Sequence, residues 1–247
     1  MNKLSPFRER IDTCSNNKRS KIVLALDPLP RTDLMEFVKA TIVMLEKYVC
    51  AIKINFHLIL PLSISQLSEI NDLIHVYHLQ SIADIKLNDI TRTNEVAIEY
   101  LLKMGFDAAI VNPFMGREPL QAAVDQTHKN HAGVIALIYM SHPGAEDGFN
   151  INIMNRRNGT MYKLFLEYAY ECNVDGIVVG ATQIDVLKEM SARKQLPVYS
   201  PGFGLQGGNI QQAAKNGTDY FIVGSLITRS KDPVTVVKEI QHQTSCI

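Results

Sequence analysis

Eight short, almost unbroken apolar runs recur along this sequence, each followed by a stretch with helical spacing. The runs fall at 21–28, 51–55, 82–86, 108–111, 134–139, 176–179, 197–200 and 220–223. Runs this continuous suit strands buried on both faces, as in parallel sheets. The intervening stretches carry a different period. After the first run, Leu34, Phe37, Val38, Thr41, Ile42 and Leu45 mark one helical face, and Asp33 and Glu36 have capping-box spacing at its start. Further helices are expected over 94–104, stopping at Gly105, and over 162–171 and 184–192. Strand and helix in eightfold alternation predict an α/β fold, a single (β/α)8 TIM barrel, and the 247 residues are the right length for one. The competing arrangement is an open doubly wound sheet, but no G-x-G-x-x-G follows the first run. Ahead of the barrel, 5–19 reads as a short polar helix with Phe7 and Ile11 on its apolar edge, a cover for the bottom of the core. The expected organisation is therefore a helical extension over 1–20 and a catalytic barrel over 21–247.

Charge narrows the partners. Lys plus Arg and Asp plus Glu are balanced at 25 each, so no global basic field draws in nucleic acid, and an anionic ligand must be recognised locally. Cys14, Cys50, Cys172 and Cys246 show no C-x-x-C spacing, which argues against a zinc site or disulfide framework and fits a reducing, cytoplasmic setting. No apolar run is long enough to span a membrane, and the first residues lack the apolar core of a secretory signal. Neither low-complexity segments nor a repeat of 20–50 residues is visible.

In a (β/α)8 barrel, chemistry gathers at the C-terminal ends of the strands. Those ends are polar here. The first has Asp27, the second Lys53, the third Asp84-Ile85-Lys86-Leu87-Asn88-Asp89. In an extended strand Asp84 and Lys86 project to one face, because side chains alternate with a period of two. Taken alone, such a pair is a surface salt bridge of little consequence. With Lys53 and Asp89 it makes a chain of alternating sign whose members can satisfy one another. The fifth run leads into Ser141-His142-Pro143-Gly144, and the seventh into Pro201-Gly202-Phe203-Gly204-Leu205-Gln206-Gly207-Gly208. This glycine-rich loop, with Gly224 ending the eighth run, is a candidate phosphate cradle and mobile lid. His142 reads as a packing or hydrogen-bonding residue, and the remaining histidines show no metal spacing. Asp147, Arg156 and Arg157 read as solvated loop residues.

Together, Asp27, Lys53, Asp84-x-Lys86-x-x-Asp89, Ser141-x-Pro143-Gly144, Pro201-Gly202-x-Gly204-x-Gln206-Gly207-Gly208 and Gly224 resemble the orotidine 5'-phosphate decarboxylase family over residues 21–228. The D-x-K-x-x-D motif is shared with metal-dependent sugar-phosphate lyases and synthases of the same superfamily. These tend to carry glutamate where this chain has Lys53. The resemblance implies cofactor-free, metal-free conversion of orotidine 5'-phosphate to UMP, the last step of pyrimidine biosynthesis. It implies Lys86 as proton donor to C6, and Asp84 against the substrate carboxylate. Lys53 and Asp27 would bind ribose hydroxyls, and Ser141 would read the pyrimidine amide edge. Pro201, Gly202, Gln206, Gly207, Gly224 and Ser225 would line the base and phosphate end. A homodimer is also implied, with Asp89 and Thr93 reaching the partner's site.

One position departs from the family pattern. An arginine usually follows the strand-eight glycine and clamps the phosphate, and this chain has Ser225 there. Arg229 is the candidate replacement, since residues four apart share a helix face. The alternatives are a metal-dependent sugar-phosphate enzyme and a degenerate nucleotide-binding barrel.

Overall fold

A computed structural model describes residues 6–154, 159–193 and 195–245. Thirteen residues of helix, α1 (Pro6–Lys18), precede β1 (Ile22–Leu26), α2 (Leu34–Leu45) and β2 (Ala51–Asn55). A short α3 (Phe56–Ile59) leads to α4 (Ile64–Val76), β3 (Gln80–Leu87), α5 (Thr91–Lys103) and β4 (Ala108–Val111). A 3-10 turn, Pro113–Met115, is followed by α6 (Arg117–Lys129), β5 (Gly133–Tyr139), α7 (Ala145–Phe149), α8 (Met161–Glu171) and β6 (Gly176–Val179). Then come α9 (Ile184–Arg193), β7 (Val198–Ser200), α10 (Ile210–Lys215), β8 (Tyr220–Val223), α11 (Ser225–Thr228) and α12 (Pro233–Ser245). All strand pairs are parallel, and β1 through β8 close in sequence order with β8 back on β1. The expected TIM barrel is the fold.

The apolar runs are strands because both of their faces are covered. Every residue of β1, β4, β5, β6, β7 and β8 is buried. The barrel interior meets them on one side and the helical ring on the other. At the N-terminal end, α1 lies under the barrel with Phe7 and Ile11 wholly buried, as its apolar edge predicts. No helix among the described residues is long and apolar enough to cross a membrane.

Two expectations change. The Asp33–Glu36 capping box does not form: Arg31 takes both carboxylate oxygens of Asp33, at 2.6 and 2.7 Å, and no side-chain cap bond remains. A bidentate charge-assisted pair outcompetes a backbone amide for that carboxylate. The capping box that does form is Ser63 with Gln66, at the start of α4. The helix expected from Asn94 begins three residues earlier, at Thr91. Asn94 is buried and spends its Nδ2 on the carbonyl of Asp89 at 2.7 Å, fixing the turn from β3 into α5.

A short device also repeats that was not visible as a long repeat. Gly105, Asn173 and Gly217 each have positive φ, at 86°, 54° and 107°. Two residues later come Asp107, Asp175 and Asp219, each just ahead of a strand. Their carboxylates accept the amides of Ser81, Val134 and Val198 at 2.8, 2.7 and 2.8 Å. Each bond ties one strand's start to that of its neighbour at the closed end. The site is thereby left to the opposite face.

Candidate active site

The C-terminal ends of the strands surround a cavity of about 380 Å3. Its floor holds the charged residues. Lys53 pairs across β1–β2 with Ala25 and across β2–β3 with Ile82, and Asn55 stands opposite Asp84. Lys53 therefore stands two residues below the level of Asn55 and Asp84, and its side chain reaches up between Asp84 and Asp27, which lies one residue past the end of β1. Lys53 Nζ donates to Asp84 Oδ2 at 2.9 Å and lies 3.3 Å from both oxygens of Asp27. Lys86 Nζ donates to the other Asp84 oxygen at 2.7 Å. Within one chain the array is therefore Asp27–Lys53–Asp84–Lys86.

The electrostatics follow from burial against pairing. Burial works against charge on Lys53, but Asp84 and Asp27 outweigh it and its pKa is raised. Burial likewise opposes ionisation of Asp84, and Lys53 and Lys86 outweigh it, so its pKa is lowered. Both groups are charged at neutral pH and held by one another. The side chain of Lys86 keeps 40% of its surface exposed, against 6% for Lys53. The exposed ammonium of the array thus faces the cavity.

Asp84 and Lys86 meet by a route that simple alternation misses. The β3–β4 register runs Ala83↔Ala109 and then Leu87↔Val111, so two extra residues bulge from β3 between them. Lys86 sits in that bulge with φ +47°, a left-handed conformation unusual for a residue with a side chain. Backbone in this region costs roughly 1–3 kcal/mol and persists only where its surroundings impose it. Here the imposed conformation turns the ammonium back onto Asp84.

Opposite the charges, Ser141 is gripped by two glycines. A Cβ at Gly180 would lie 2.6 Å from Ser141 Cα, and one at Gly202, whose φ is +107°, would lie 2.6 Å from Ser141 Cβ. Thr182 Oγ1 donates to the Ser141 carbonyl at 3.0 Å, and Ser141 Oγ donates to Gln206 Oε1 at 2.6 Å. The glycine-rich loop thereby reaches Ser141 directly. Leu205 at its tip lines the cavity although 81% exposed.

Of the residues expected at this site, Asp27, Lys53, Asp84, Lys86, Ser141, Pro201, Gly202, Gln206, Gly224 and Ser225 all line the cavity. Gly207 does not. Asp89 and Thr93 do not either: Asp89 is exposed, accepts the amide of Ile90 at 2.7 Å, and faces a separate groove with Phe114 and Glu118. Arg229 is exposed and outside the lining. Asp147 is exposed on α7, as expected of a loop-face residue, while Arg156 and Arg157 lie outside the described residues. His142, read from the sequence as a packing or hydrogen-bonding residue, also lines the cavity, as do Asn55 and the apolar wall of Ile110, Leu137, Val178 and Ile222, which the sequence reading did not single out. Alternation places those wall residues inward, but nothing in their type marks them as a site. Among the described residues no cluster of His, Cys, Asp or Glu is arranged to hold a metal ion.

Comparison with known proteins adds a separate line. The sequence profile described as "Orotidine 5'-phosphate decarboxylase / HUMPS family" matches residues 20–240. The orotidine 5'-phosphate decarboxylase of Methanocaldococcus jannaschii is 34% identical over 224 residues, covering 90% of this chain and 97% of that one. The enzyme of the same name from Pyrococcus abyssi is 31% identical over 225 residues, covering 90% and 98%. A crystal structure of the M. jannaschii decarboxylase complexed with the inhibitor BMP superposes with a TM-score of 0.77 at 32% identity, covering 91% of this chain and 98% of that one.

Proposed function

The chain belongs to the orotidine 5'-phosphate decarboxylase / HUMPS family, and we propose that the cavity described above is where it decarboxylates orotidine 5'-phosphate, with Lys86 as the proton donor. The activity is that of a carbon–carbon lyase forming UMP in pyrimidine biosynthesis. The observation that carries the assignment of residues is the buried array Asp27–Lys53–Asp84–Lys86, which ends in an exposed ammonium facing the cavity.

The chemistry asks for such an array. When the bond from C6 to the carboxylate breaks, carbon dioxide leaves and the electron pair stays on an sp2 carbon with no conjugated sink. A fixed positive charge beside that carbon stabilises the pair as it forms. The Lys86 ammonium then gives its proton to C6, leaving a neutral amine that regains a proton from solvent. Asp84 stands where the substrate carboxylate would crowd it, so binding pushes like charges together and expulsion of carbon dioxide relieves them. Lys53 keeps Asp84 ionised throughout.

Binding is spread over the rest of the cavity. Asp27 and Lys53 hold ribose hydroxyls, and Ser141 reads the amide edge of the base. Gln206 links base to phosphate, and Pro201, Gly202, Gly224 and Ser225 complete the phosphate end. Phosphate contacts made when the loop closes act far from C6 yet serve the reaction, because remote binding energy can be used to organise the reacting centre. No step in this scheme calls on a cofactor. The working unit is a homodimer in which Asp89 and Thr93 extend into the partner's cavity, and its place is the cytoplasm.

The test is turnover of orotidine 5'-phosphate followed by loss of its absorbance, with and without EDTA. Turnover indifferent to EDTA is expected. No turnover, with tight binding of 6-hydroxyuridine 5'-phosphate retained, would leave only a nucleotide-binding barrel. Turnover abolished by EDTA would point to metal-dependent chemistry.

A further inference from the structure

We propose that His57 is a positioning residue for this site: by donating its Nδ1–H to the carbonyl of Pro28, it holds Asp27 beside Lys53. The proposal rests on the reading of Asp27 as a substrate-binding residue given above.

Asp27 lies one residue past the end of β1, whose last register partner to β2 is Leu26 with Ile54. The ion pair alone does not fix it. Lys53 Nζ sits 2.9 Å from Asp84 but 3.3 Å from each Asp27 oxygen, so the ammonium leans on Asp84 and touches Asp27 loosely and symmetrically. The Asp27 side chain is 29% exposed, against 10% for Asp84. Its position must be set through its backbone.

That backbone is poor in donors. Pro28 and Pro30 follow, and proline has no amide hydrogen. What remains at Pro28 is its carbonyl, and His57 Nδ1 lies 3.1 Å from it. A carbonyl oxygen only accepts, so the ring nitrogen is the donor and the proton is on Nδ1. The imidazolium would donate from the same atom, so the contact does not depend on which form is present.

The backbone that carries the ring is itself held in place. Asn55 Oδ1 accepts the amide of His57 at 2.9 Å, capping α3. Asn55 is two residues beyond Lys53 on the same strand. A closed circuit results, running Lys53, Asn55, His57, Pro28, Asp27 and back to Lys53. It ties the end of β1 to the end of β2 just where ladder pairing stops. An exposed histidine on a four-residue helix would otherwise be a surface residue of no consequence.

A double-mutant cycle decides between these roles, using His57→Ala, Asp27→Ala, the double variant, and His57→Asn, whose amide nitrogen falls near the place of ring Nδ1. Steady-state kinetics with orotidine 5'-phosphate are measured for each, with a melting curve to confirm the fold. For His57→Ala, KM should rise roughly 3- to 10-fold, the scale of one neutral hydrogen bond, and more than kcat falls. His57→Asn should restore most of this. In the Asp27→Ala background, His57→Ala should add nothing, because coupled residues are not additive. Additive effects, or an unchanged KM for His57→Ala, would overturn the role of His57. Wild-type protein that fails to turn over the substrate would instead sink the functional reading itself.

Discussion

At the scale of single residues, the site turns on which ammonium is held and which is free. Lys53 is enclosed by two carboxylates, while Lys86 is bonded to Asp84 and open to the cavity. Removing Lys86 withdraws a charge used only as the carbanion forms, so Lys86→Ala should abolish turnover and leave UMP affinity nearly unchanged. A variant retaining more than about a tenth of wild-type kcat, or ~1.4 kcal/mol of barrier, would end the proton-donor assignment. The phosphate end makes a second prediction. Among the described residues, Lys53 and Lys86 are the lysine or arginine side chains that line the cavity, and both are already paired. Ser225 lines it where a bidentate arginine would suit a dianionic phosphate. Ser225→Arg should therefore lower KM for the nucleotide and leave the same constant for the phosphate-free nucleoside unaltered. Arg229→Ala should change neither, since Arg229 stands outside the cavity; a large rise in KM for that variant would reinstate it as the clamp. The charged residues and the serine were legible because polar side chains at the ends of apolar runs need partners. Asn55, His57 and Thr182 were not, because their roles arise from hydrogen bonds to neighbours remote in the chain or to backbone.

Elements set the distances that those residues exploit. The strands were readable from their apolar continuity, but the bulge in β3 was not, since a two-residue register shift leaves no mark on composition. The grip on Ser141 is likewise a matter of how β5, β6 and the loop after β7 approach one another. A Cβ at Gly180 would meet the backbone of Ser141 at 2.6 and 2.8 Å, and backbone cannot swing aside as a flexible side chain can. Gly180→Ala should displace Ser141 and lower kcat/KM by on the order of a hundredfold, with the protein still folded; unchanged kinetics would show that the serine tolerates displacement. At the opposite end, His75 Nε2 donates to an Asp107 carboxylate oxygen at 2.8 Å and His128 Nε2 to one of Asp175 at 2.9 Å. Those hydrogen bonds raise both histidine pKa values above the ordinary 6.5, burial notwithstanding. A group whose folded pKa is raised stabilises fully below its unfolded pKa and loses that contribution as pH climbs through the folded value. Both imidazoles are partly exposed and Arg10 shares Asp107, so solvent and competition reduce the pair to about 1 kcal/mol in all. The melting temperature should accordingly fall by about 2–4 °C as pH rises from 6 through the histidine titrations. A His75→Gln/His128→Gln variant should lose this slope, and one that keeps it would show that other groups carry the effect.

For the whole molecule, the question is where one active unit ends. The cavity of a single chain collects Asp27, Lys53, Asp84 and Lys86, yet Asp89, three residues beyond Lys86, faces another groove. Its neighbours there include Ile90 and Phe114, which are 69% and 64% exposed. Apolar side chains beside a carboxylate that its own cavity does not use fit a surface covered by a second copy. Two-fold symmetry would then put each Asp89 at its partner's cavity. If so, each site draws Lys86 from one chain and Asp89 from the other. Asp89→Asn and Lys86→Ala homodimers should both be nearly inactive. After subunit exchange, half of the dimers are mixed by random pairing. In a mixed dimer one site carries both lesions and the other carries neither, so the mixture should regain about a quarter of wild-type activity. Labelled subunits monitored for exchange make the result decisive in either direction. Exchange without recovery would mean that every site in the mixture is defective, as it would be if Asp89 served the cavity of its own chain.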